Sequence, residues 1–316
     1  MNALKRIELC GIVPVIKLNS PDEALPLCQA LENGGIDVAE ITFRSDAATK
    51  AIALVRQNMP QMLVGAGTVT NLEQAQQAKD AGAQFMVTPG FSDKVTAFCQ
   101  QHKIPLTPGC SSPTDMQSVL EAGLDVAKFF PAEASGGLKA LKAISAPYHM
   151  LKFMPTGGIG PNNLVEYLSF NKVLACGGSW MVPDKLLKEK RFDEIQALTK
   201  EAVALLHGFS FHAIRLHSGD RKQAQKSADA LCALLGLSQK ENGSLLFAGD
   251  SIQLNCEGDG KGALVFACNH VERALYALQK KGVQAVSQSL SYPNNRLNGA
   301  ALQANFLGYN IELTQR

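Results

Sequence analysis

Charge of one sign, long apolar runs and paired cysteines are what this sequence lacks. Its 30 lysines and arginines nearly balance its 28 aspartates and glutamates, and the formal net charge is +2. Such a chain has no broad field to attract nucleic acid or an anionic membrane. It also has no run of about 18 apolar residues, the length that a membrane-spanning helix needs. We therefore expect neither nucleic acid nor a membrane as a partner.

The eight cysteines form no CxxC pair and no Cys/His cluster with metal-ligand spacing. This distribution favours a reducing compartment over a disulfide framework, and it predicts no metal site. A secretory leader is not expected, because the short apolar stretch after Lys5 and Arg6 contains Pro14 and is followed by Lys17. The expected location is the cytoplasm.

The length of 316 residues exceeds the size at which one hydrophobic core usually stops growing, so two domains are expected. The segment FDEIQALTKEAVALLHGF predicts an amphipathic helix that ends at Gly208. The sequence rhythm changes after this helix. We therefore predict one domain over 1–206 and a smaller domain over 207–316.

The first domain alternates short apolar runs with helical patterns, and eight such pairs can be counted. The capping sequence Ser20-Pro21-Asp22-Glu23 predicts one helix start, and Asn33-Gly34-Gly35 predicts its end. Eight βα pairs in about 200 residues predict an α/β fold, specifically a closed (β/α)8 TIM barrel. The predicted strands are VPVIKL from Val13, VAEITF from Val38, LVGAGT from Leu63, FMVTPG from Phe85, PLTPGC from Pro105, DVAKFF from Asp125, FMPTGG from Phe153 and VLACGGSW from Val173.

The second domain is predicted to be α+β and to contain two similar modules of the type βαβββ. Its first module has the strand FHAIRLH, a helix over 220–235, and the alternating strands SLLFAG and SIQLNC. Its second module has the strand GALVFAC, the helix HVERALYALQKKG, and the strands AALQANF and YNIELTQ.

Reactive groups in such barrels lie at the carboxyl ends of the strands, where this sequence places several polar residues. Lys128 lies inside the apolar run DVAKFF, where burial favours the uncharged amine that can form an imine with a ketone. Glu40 lies in VAEITF, where burial favours a proton-carrying acid. A structural salt bridge between the two is the alternative. Arg44 offers a fork for a carboxylate, and Thr68 a hydroxyl donor.

Two glycine pairs follow the seventh and eighth predicted strands, in TGGI and CGGSW. Glycines after these strands let backbone N–H groups approach a phosphate. The candidate phosphate residues are Gly157, Gly158, Gly178 and Ser179, with Lys17 as a cation at the end of the first strand. Ordinary tight turns are the alternative.

The segments VAEITFR, LVGAGTV, VTPG, AKFFPAE, PTGGI and CGGSW, in this order and spacing, closely resemble the 2-keto-3-deoxy-6-phosphogluconate (KDPG) aldolase family over residues 1–206. This family includes enzymes that cleave 4-hydroxy-2-oxoglutarate (KHG). The resemblance implies a class I aldolase, a homotrimeric barrel that releases pyruvate from a keto acid without a metal or other cofactor.

The same resemblance implies roles for individual residues. Lys128 in AKFFPAE would form the Schiff base, and Glu40 in VAEITFR would be the acid/base. Arg44 and Thr68 would hold the pyruvate carboxylate, and Pro89 in VTPG would contact the substrate. The phosphate would be held by Gly157, Gly158 and Ser179.

The second domain is similar to the vicinal-oxygen-chelate superfamily, which includes glyoxalases. The likeness rests on the rhythm of strands and helices and on the ending YNIELTQR. His212 and Glu312 occupy ligand-like places, but Gln253 stands where a Glu, and Ala263 where a His, would be expected. Because two strong ligands and an amide hold a divalent ion poorly, we predict a binding, assembly or regulatory role without a working metal site.

Two other functions are compatible with parts of the pattern. A phosphosugar isomerase or epimerase on the same barrel would use Glu40 and the glycine pairs but would need no imine. A ligand sensor with a relic barrel would need none of the reactive residues, and the presence of Glu40, Arg44, Thr68 and Lys128 argues against it.

Overall fold

The strands of the first 200 residues are short, and the longest of them are buried on both faces, as strands of a parallel sheet covered by helices are. The structure, a computed structural model, describes residues 1–243, 245–256, 261–293 and 296–316. The chain divides into two compact units, Met1–Leu206 and His207–Arg316.

The strands of the first unit recur throughout its length and include the predicted segments. They are β1 Ile12–Ile16, β2 Val38–Thr42, β3 Leu63–Gly67, β4 Met86–Val87, β5 Leu106–Thr107, β6 Gly109–Cys110, β7 Val126–Phe129, β8 Lys152–Phe153 and β9 Cys176–Gly178. The predicted fifth strand is present as two short pieces, β5 and β6, on either side of Pro108, which has no N–H to donate to a ladder.

Helices alternate with these strands. They are α1 Ala3–Cys10, α2 Ala24–Gly34, α3 Ala48–Asn58, α4 Leu72–Asp80, α5 Asp93–Gln101, α6 Pro113–Glu121, α7 Gly137–Ser145, α8 Leu164–Ser169, α9 Asp184–Lys188 and α10 Phe192–His207. The predicted start of α2 is confirmed, because Ser20 and Glu23 form a capping box around a short 3-10 turn that leads into the helix. The helix ends at the predicted place, with Gly35 in the left-handed conformation as its C-cap.

Every pairing between neighbouring strands of the first unit is parallel in the described residues. The order β5-β4-β3-β2-β1-β9 forms one sheet, and β6-β7-β8 forms another. Isolated bridges, Phe153 to Val173 and Thr156 to Gly177, join the β8 region to the β9 region. The predicted α/β architecture with a parallel sheet is confirmed.

The described residues of the second unit form a mixed seven-stranded sheet and two α-helices. Its elements are β10 Ser210–His217, α11 Arg221–Leu235, β11 Gln239–Asn242, β12 Leu245–Ala248, β13 Ile252–Asn255, β14 Gly262–Cys268, α12 Val271–Lys280, β15 Gly299–Phe306 and β16 Tyr309–Gln315. The strand order is β11-β12-β13-β10-β14-β16-β15. β10 pairs in parallel with β13, β14 pairs in parallel with β16, and β10 and β14 are antiparallel.

The two halves of this sheet differ in one respect from the predicted pair of βαβββ modules. The first half has four regular strands, β10 to β13. In the described residues of the second half, the place of one strand is taken by a 3-10 turn at Ser287–Ser289 and by isolated bridges from Ala285 and Ser291 to β15. Pro293 in this segment cannot donate to a ladder.

Each unit has its own core. The first is large and centred on β1 to β9, whereas the second has two small clusters, one beneath α11 and one beneath α12. Among the described helices none combines the length and the apolar character needed to span a membrane.

Candidate active site

Lys128 lies on β7, opposite Gly109 of β6, and its side chain is buried. Its Nζ lies 3.3 Å from Oε1 of Glu40, a residue 88 positions earlier in the chain. The ammonium or amine also lies 5.2 Å from the centre of the Phe130 ring. The two residues singled out in apolar runs therefore form one buried acid–amine pair.

Glu40 lies on β2, between Val15 of β1 and Gly65 of β3, and is fully buried. Its Oε2 has no hydrogen-bond partner among the described residues. A buried carboxylate oxygen without a partner is costly, and a catalytic role is one of the few reasons for which a folded protein keeps such a group. Glu40 is thus positioned to exchange a proton with a bound molecule and with Lys128.

Gly67 makes the room that this carboxyl group needs. A Cβ at position 67 would lie 2.1 Å from Oε1 of Glu40, well inside the contact distance of real atoms. The next residue, Thr68, has φ of 56°, in the left-handed region that β-branched residues rarely adopt. Strain of this kind concentrates at functional sites, and here it lies at the carboxyl end of β3.

A cavity of about 320 Å³ opens near this pair and collects most of the remaining predicted residues. Phe130 links the two features, because it lines the cavity and lies next to Lys128 Nζ. The predicted residues that line it are Lys17, Arg44, Gly157, Gly158, Gly178 and Ser179. The four others, Lys128, Glu40, Thr68 and Pro89, are not among the lining residues.

Two cations and several free backbone donors make the cavity suited to an anion. Lys17 and Arg44 form no ion pair with any described residue. The backbone N–H groups of Gly157, Gly158 and Ser179 donate to no acceptor in the described ranges. Convergent N–H groups beside positive charge are the usual construction of a phosphate or carboxylate site.

Contacts with Glu133 hold the loop that carries Gly157 and Gly158 in place. Both glycines have positive φ, 97° and 81°. The N–H of Glu133 donates to the carbonyl of Gly157, and a Cβ at position 158 would lie 2.5 Å from Cγ of Glu133. Tyr167 donates a hydrogen bond to Glu133, and burial together with this carboxylate raises the pKa of the Tyr167 hydroxyl.

Several residues that line the cavity were not singled out from the sequence. They are Val15, Phe130, Thr156, Ile159, Val182 and Asp184. Thr156 gave no clear signal in the sequence, because its partner Gly177 lies 21 positions later: a Cβ at Gly177 would lie 2.3 Å from Oγ1 of Thr156, so Gly177 leaves room for that hydroxyl. Asp184 is the first residue of α9 and adds one negative charge to the rim.

In the second unit, His212, Gln253 and Glu312, which were considered as metal ligands from the sequence, line one cavity. His212 is exposed, and Glu312 pairs with Arg215, whose Nη1 lies 2.7 Å from Oε2 of Glu312. Ala263 lies opposite Arg215 on β14. Across the residues that the structure describes, no three His, Cys, Asp or Glu side chains are grouped to hold a metal ion.

Comparison with known proteins identifies the first unit. The family model "Aldolase: KDPG and KHG aldolase" matches residues 4–198, more than half of the chain. The chain belongs to the KDPG and KHG aldolase family. Among relatives, the 2-dehydro-3-deoxy-phosphogluconate aldolase of Haemophilus influenzae is 47% identical over 203 residues, which are 64% of this chain and 96% of that protein. The KHG/KDPG aldolase of Escherichia coli K12 is 42% identical over 192 residues, 61% of this chain and 90% of that protein.

Solved structures of the same family are similar over the same unit. The KDPG aldolase of Legionella pneumophila, with pyruvate captured at low pH as a covalent carbinolamine intermediate, is 39% identical with a TM-score of 0.60, covering 62% of this chain and 97% of that one. The KDPG aldolase of Zymomonas mobilis ZM4 with 3-phosphoglycerate is 38% identical with a TM-score of 0.59, covering 63% and 94%. The family match ends at residue 198, before the second unit begins.

Proposed function

We propose that the first unit is a Schiff-base aldolase that cleaves KDPG to pyruvate and glyceraldehyde 3-phosphate, KHG to pyruvate and glyoxylate, or both. The observation that carries the proposal is the buried pair, Lys128 Nζ at 3.3 Å from Glu40 Oε1, next to a cavity with two cations that form no ion pair with a described residue. The aldolase relatives support it, as does the covalent pyruvate intermediate of the Legionella protein.

Lys128 and Glu40 divide the chemistry between them. The Lys128 amine attacks the keto carbon, a C–N bond forms, and the oxygen takes a proton to give a carbinolamine. Loss of water gives the protonated imine. Glu40 then accepts the proton of the C4 hydroxyl, the C3–C4 bond breaks towards the imine, and the aldehyde leaves. The resulting enamine takes a proton at C3, and water releases pyruvate and the free amine.

The remaining residues position the substrate. We assign the keto-acid carboxylate to Arg44 and Thr68, a further substrate contact to Pro89, and the phosphate to Lys17 and the backbone around Gly157, Gly158, Gly178 and Ser179. The free N–H groups of the cavity and the Lys17 cation, which forms no ion pair with a described residue, support the phosphate assignment. The Zymomonas relative, whose structure contains a phosphorylated three-carbon acid, supports it as well.

The finer architecture of the first unit is also part of the proposal. We infer a closed (β/α)8 barrel, because β9 pairs with β1 and bridges connect the β8 and β9 regions. We propose, from the family resemblance, a homotrimer that works in the reducing cytoplasm. Sedimentation analysis of the purified chain tests the trimer, which a monomeric or dimeric mass would contradict.

For the second unit we propose the two-module arrangement of the vicinal-oxygen-chelate superfamily, with a non-catalytic role. In each half, the first strand pairs in parallel with the last, which supports a repeated module. We propose that it holds no catalytic metal, because the Arg215 cation lies against Glu312. Elemental analysis after exposure to nickel, zinc and iron should give substoichiometric metal, whereas a full equivalent lost on changing His212 and Glu312 would overturn this proposal.

The aldolase proposal is tested by measuring pyruvate release from both keto acids. Lys128→Met should abolish release from KDPG and KHG, because no imine forms. Lys139→Met changes an exposed lysine and should retain full activity. A Lys128→Met protein that still releases pyruvate would contradict the proposal. Isomerisation or epimerisation of a phosphosugar by both variants would instead favour the enzyme class that needs no imine.

A further inference from the structure

The second unit contains a cavity of about 490 Å³, larger than the one in the first unit. Volumes of about 300–1,000 Å³ are typical of small-molecule sites. The cavity lies on the face of the sheet that carries Arg215, Gln253 and Glu312. The opposite face packs against α11 and α12 through apolar residues such as Leu254. One face of this sheet therefore forms the core, and the other is open to a ligand.

Arg215 is held in one orientation within this cavity. Its Nη1 donates to Oε2 of Glu312 at 2.7 Å, and its Nε donates to Oε1 of Gln253 at 3.1 Å. Its Nη2 donates to no group among the residues described. A guanidinium fixed on two sides loses little further freedom on binding, and its free edge suits a carboxylate oxygen.

Other donors and acceptors of the cavity are also uncommitted. Gln253 is 5% exposed, and since its oxygen accepts from Arg215, its amide NH₂ is left without an acceptor in the described ranges. The side chains of Asn242, Ser291 and Asn298 also line the cavity and form no hydrogen bond with described residues. Such groups match a ligand with several hydroxyls.

We propose that this cavity binds a small hydroxylated carboxylic acid, at a site separate from the keto-acid site of the first unit. The carboxylate accepts from Arg215 Nη2 and the Gln253 amide, and the hydroxyls exchange hydrogen bonds with Asn242, Ser291 and Asn298. Glu312 does not contact the ligand in this proposal: its carboxylate forms an ion pair with Arg215 and holds the guanidinium in place.

Calorimetric titration of the full chain with D-gluconate tests the site. Two molecules serve as matched probes: sorbitol has the hydroxyls without the carboxylate, and butyrate has the carboxylate without the hydroxyls. Arg215→Gln and Arg44→Gln form a matched pair of variants, because each removes one arginine from a different cavity.

We expect gluconate to bind at least about tenfold more tightly than sorbitol or butyrate, and Arg215→Gln to weaken gluconate about 10- to 100-fold, the usual scale of a hydrogen bond to a charged group. Arg44→Gln should leave this binding unchanged. Ser291→Ala, which leaves the ion pair intact, should weaken gluconate severalfold and butyrate not at all. Thermal melting and pyruvate release of each Arg215 and Ser291 variant check that the chain is folded.

Three results would overturn the proposal. They are no gluconate binding at millimolar concentration, equal affinity for sorbitol, and loss of gluconate binding in Arg44→Gln with binding retained in Arg215→Gln. The last would place gluconate in the first unit, and none of the three depends on whether the first unit is an aldolase.

Discussion

Gly67→Ala tests whether the position of the Glu40 carboxylate governs catalysis. The added Cβ would lie 2.1 Å from Oε1 of Glu40, and ordinary contact begins at 3.4 Å, so the carboxylate has to move by about 1.3 Å. This oxygen is the one that lies 3.3 Å from Lys128 Nζ. The backbone at position 67 is not in the left-handed region, so alanine itself brings no conformational strain there.

A displacement of about 1 Å at a reacting group can lower the rate about 100-fold, equivalent to about 2.7 kcal/mol in the barrier. Overpacking of the core should also lower the free energy of unfolding by about 1–3 kcal/mol. Gly90→Ala is the matched control, because a Cβ there meets nothing within 4 Å.

The assay is deuterium exchange at the pyruvate methyl group, followed by NMR, together with pyruvate release from KDPG. We expect Gly67→Ala to slow both about 100-fold and Gly90→Ala to slow neither. A folded Gly67→Ala protein with unchanged exchange would refute the argument, because it would show that the carboxylate either tolerates the displacement or does not transfer the proton.

Three further predictions concern different parts of the chain. Glu40→Gln should retain part of imine formation but slow methyl exchange by about 100-fold or more, and unchanged exchange would assign proton transfer to another group. Gly158→Ala places a Cβ 2.5 Å from Cγ of Glu133 at a φ of +81°, so it should displace the loop that we assign to the phosphate. This variant, and a bulky replacement of Ser179, should therefore raise KM for KDPG more than for KHG. Equal losses for both substrates would contradict the phosphate role. Burial, reinforced by nearby Lys280, Lys281 and Arg273, lowers the pKa of His207 to about 4, below the value of about 6.5 in the unfolded chain. The uncharged imidazole is thus favoured in the folded state, and stability that is complete above pH 6.5 should fall by about 3 kcal/mol as the pH drops towards 4. Urea unfolding of the wild type and His207→Asn across this range measures the effect, and equal pH dependence of the two would contradict it.

The sequence predicted the main strands of the first unit well because they are buried on both faces and therefore appear as uninterrupted apolar runs. Lys128 and Glu40 stood out for the same reason, since a charged residue inside such a run is conspicuous. Their distance could not be derived from the sequence, because it depends on how the sheet that contains β2 and the sheet that contains β7 are brought together. A structural salt bridge and a catalytic pair would have the same geometry, so the two interpretations are distinguished only by testing whether Lys128 forms an imine.

Other elements gave weaker signals. β11, Gln239–Asn242, was not predicted because all four of its residues are polar and exposed, which leaves no alternation to detect. Helix α1, Ala3–Cys10, is only two turns long, too short for a clear helical period. Thr156 and Asp184 line the cavity from segments that are far apart in the sequence, so their approach depends on the tertiary structure.

Arg215 was missed because of an irregularity in β10. The register of β10 against β14 shifts between Phe211 and Ala213, so one residue is inserted and the alternation of faces changes phase. If the side chains of FHAIRLH alternate strictly between the two faces of the sheet, His212 and Arg215 lie on opposite faces, and His212 is the ligand-like residue. In the structure Arg215, three residues later, holds Glu312.

Borohydride reduction in the presence of pyruvate tests the central claim most directly, because it converts the imine into a stable secondary amine on the lysine that formed it. Peptide mass spectrometry should place the pyruvate-derived adduct on Lys128 in the wild type, should find it also in Lys139→Met, and should find none in Lys128→Ala. An adduct at the same yield in Lys128→Ala, or on another lysine of the wild type, would contradict the account.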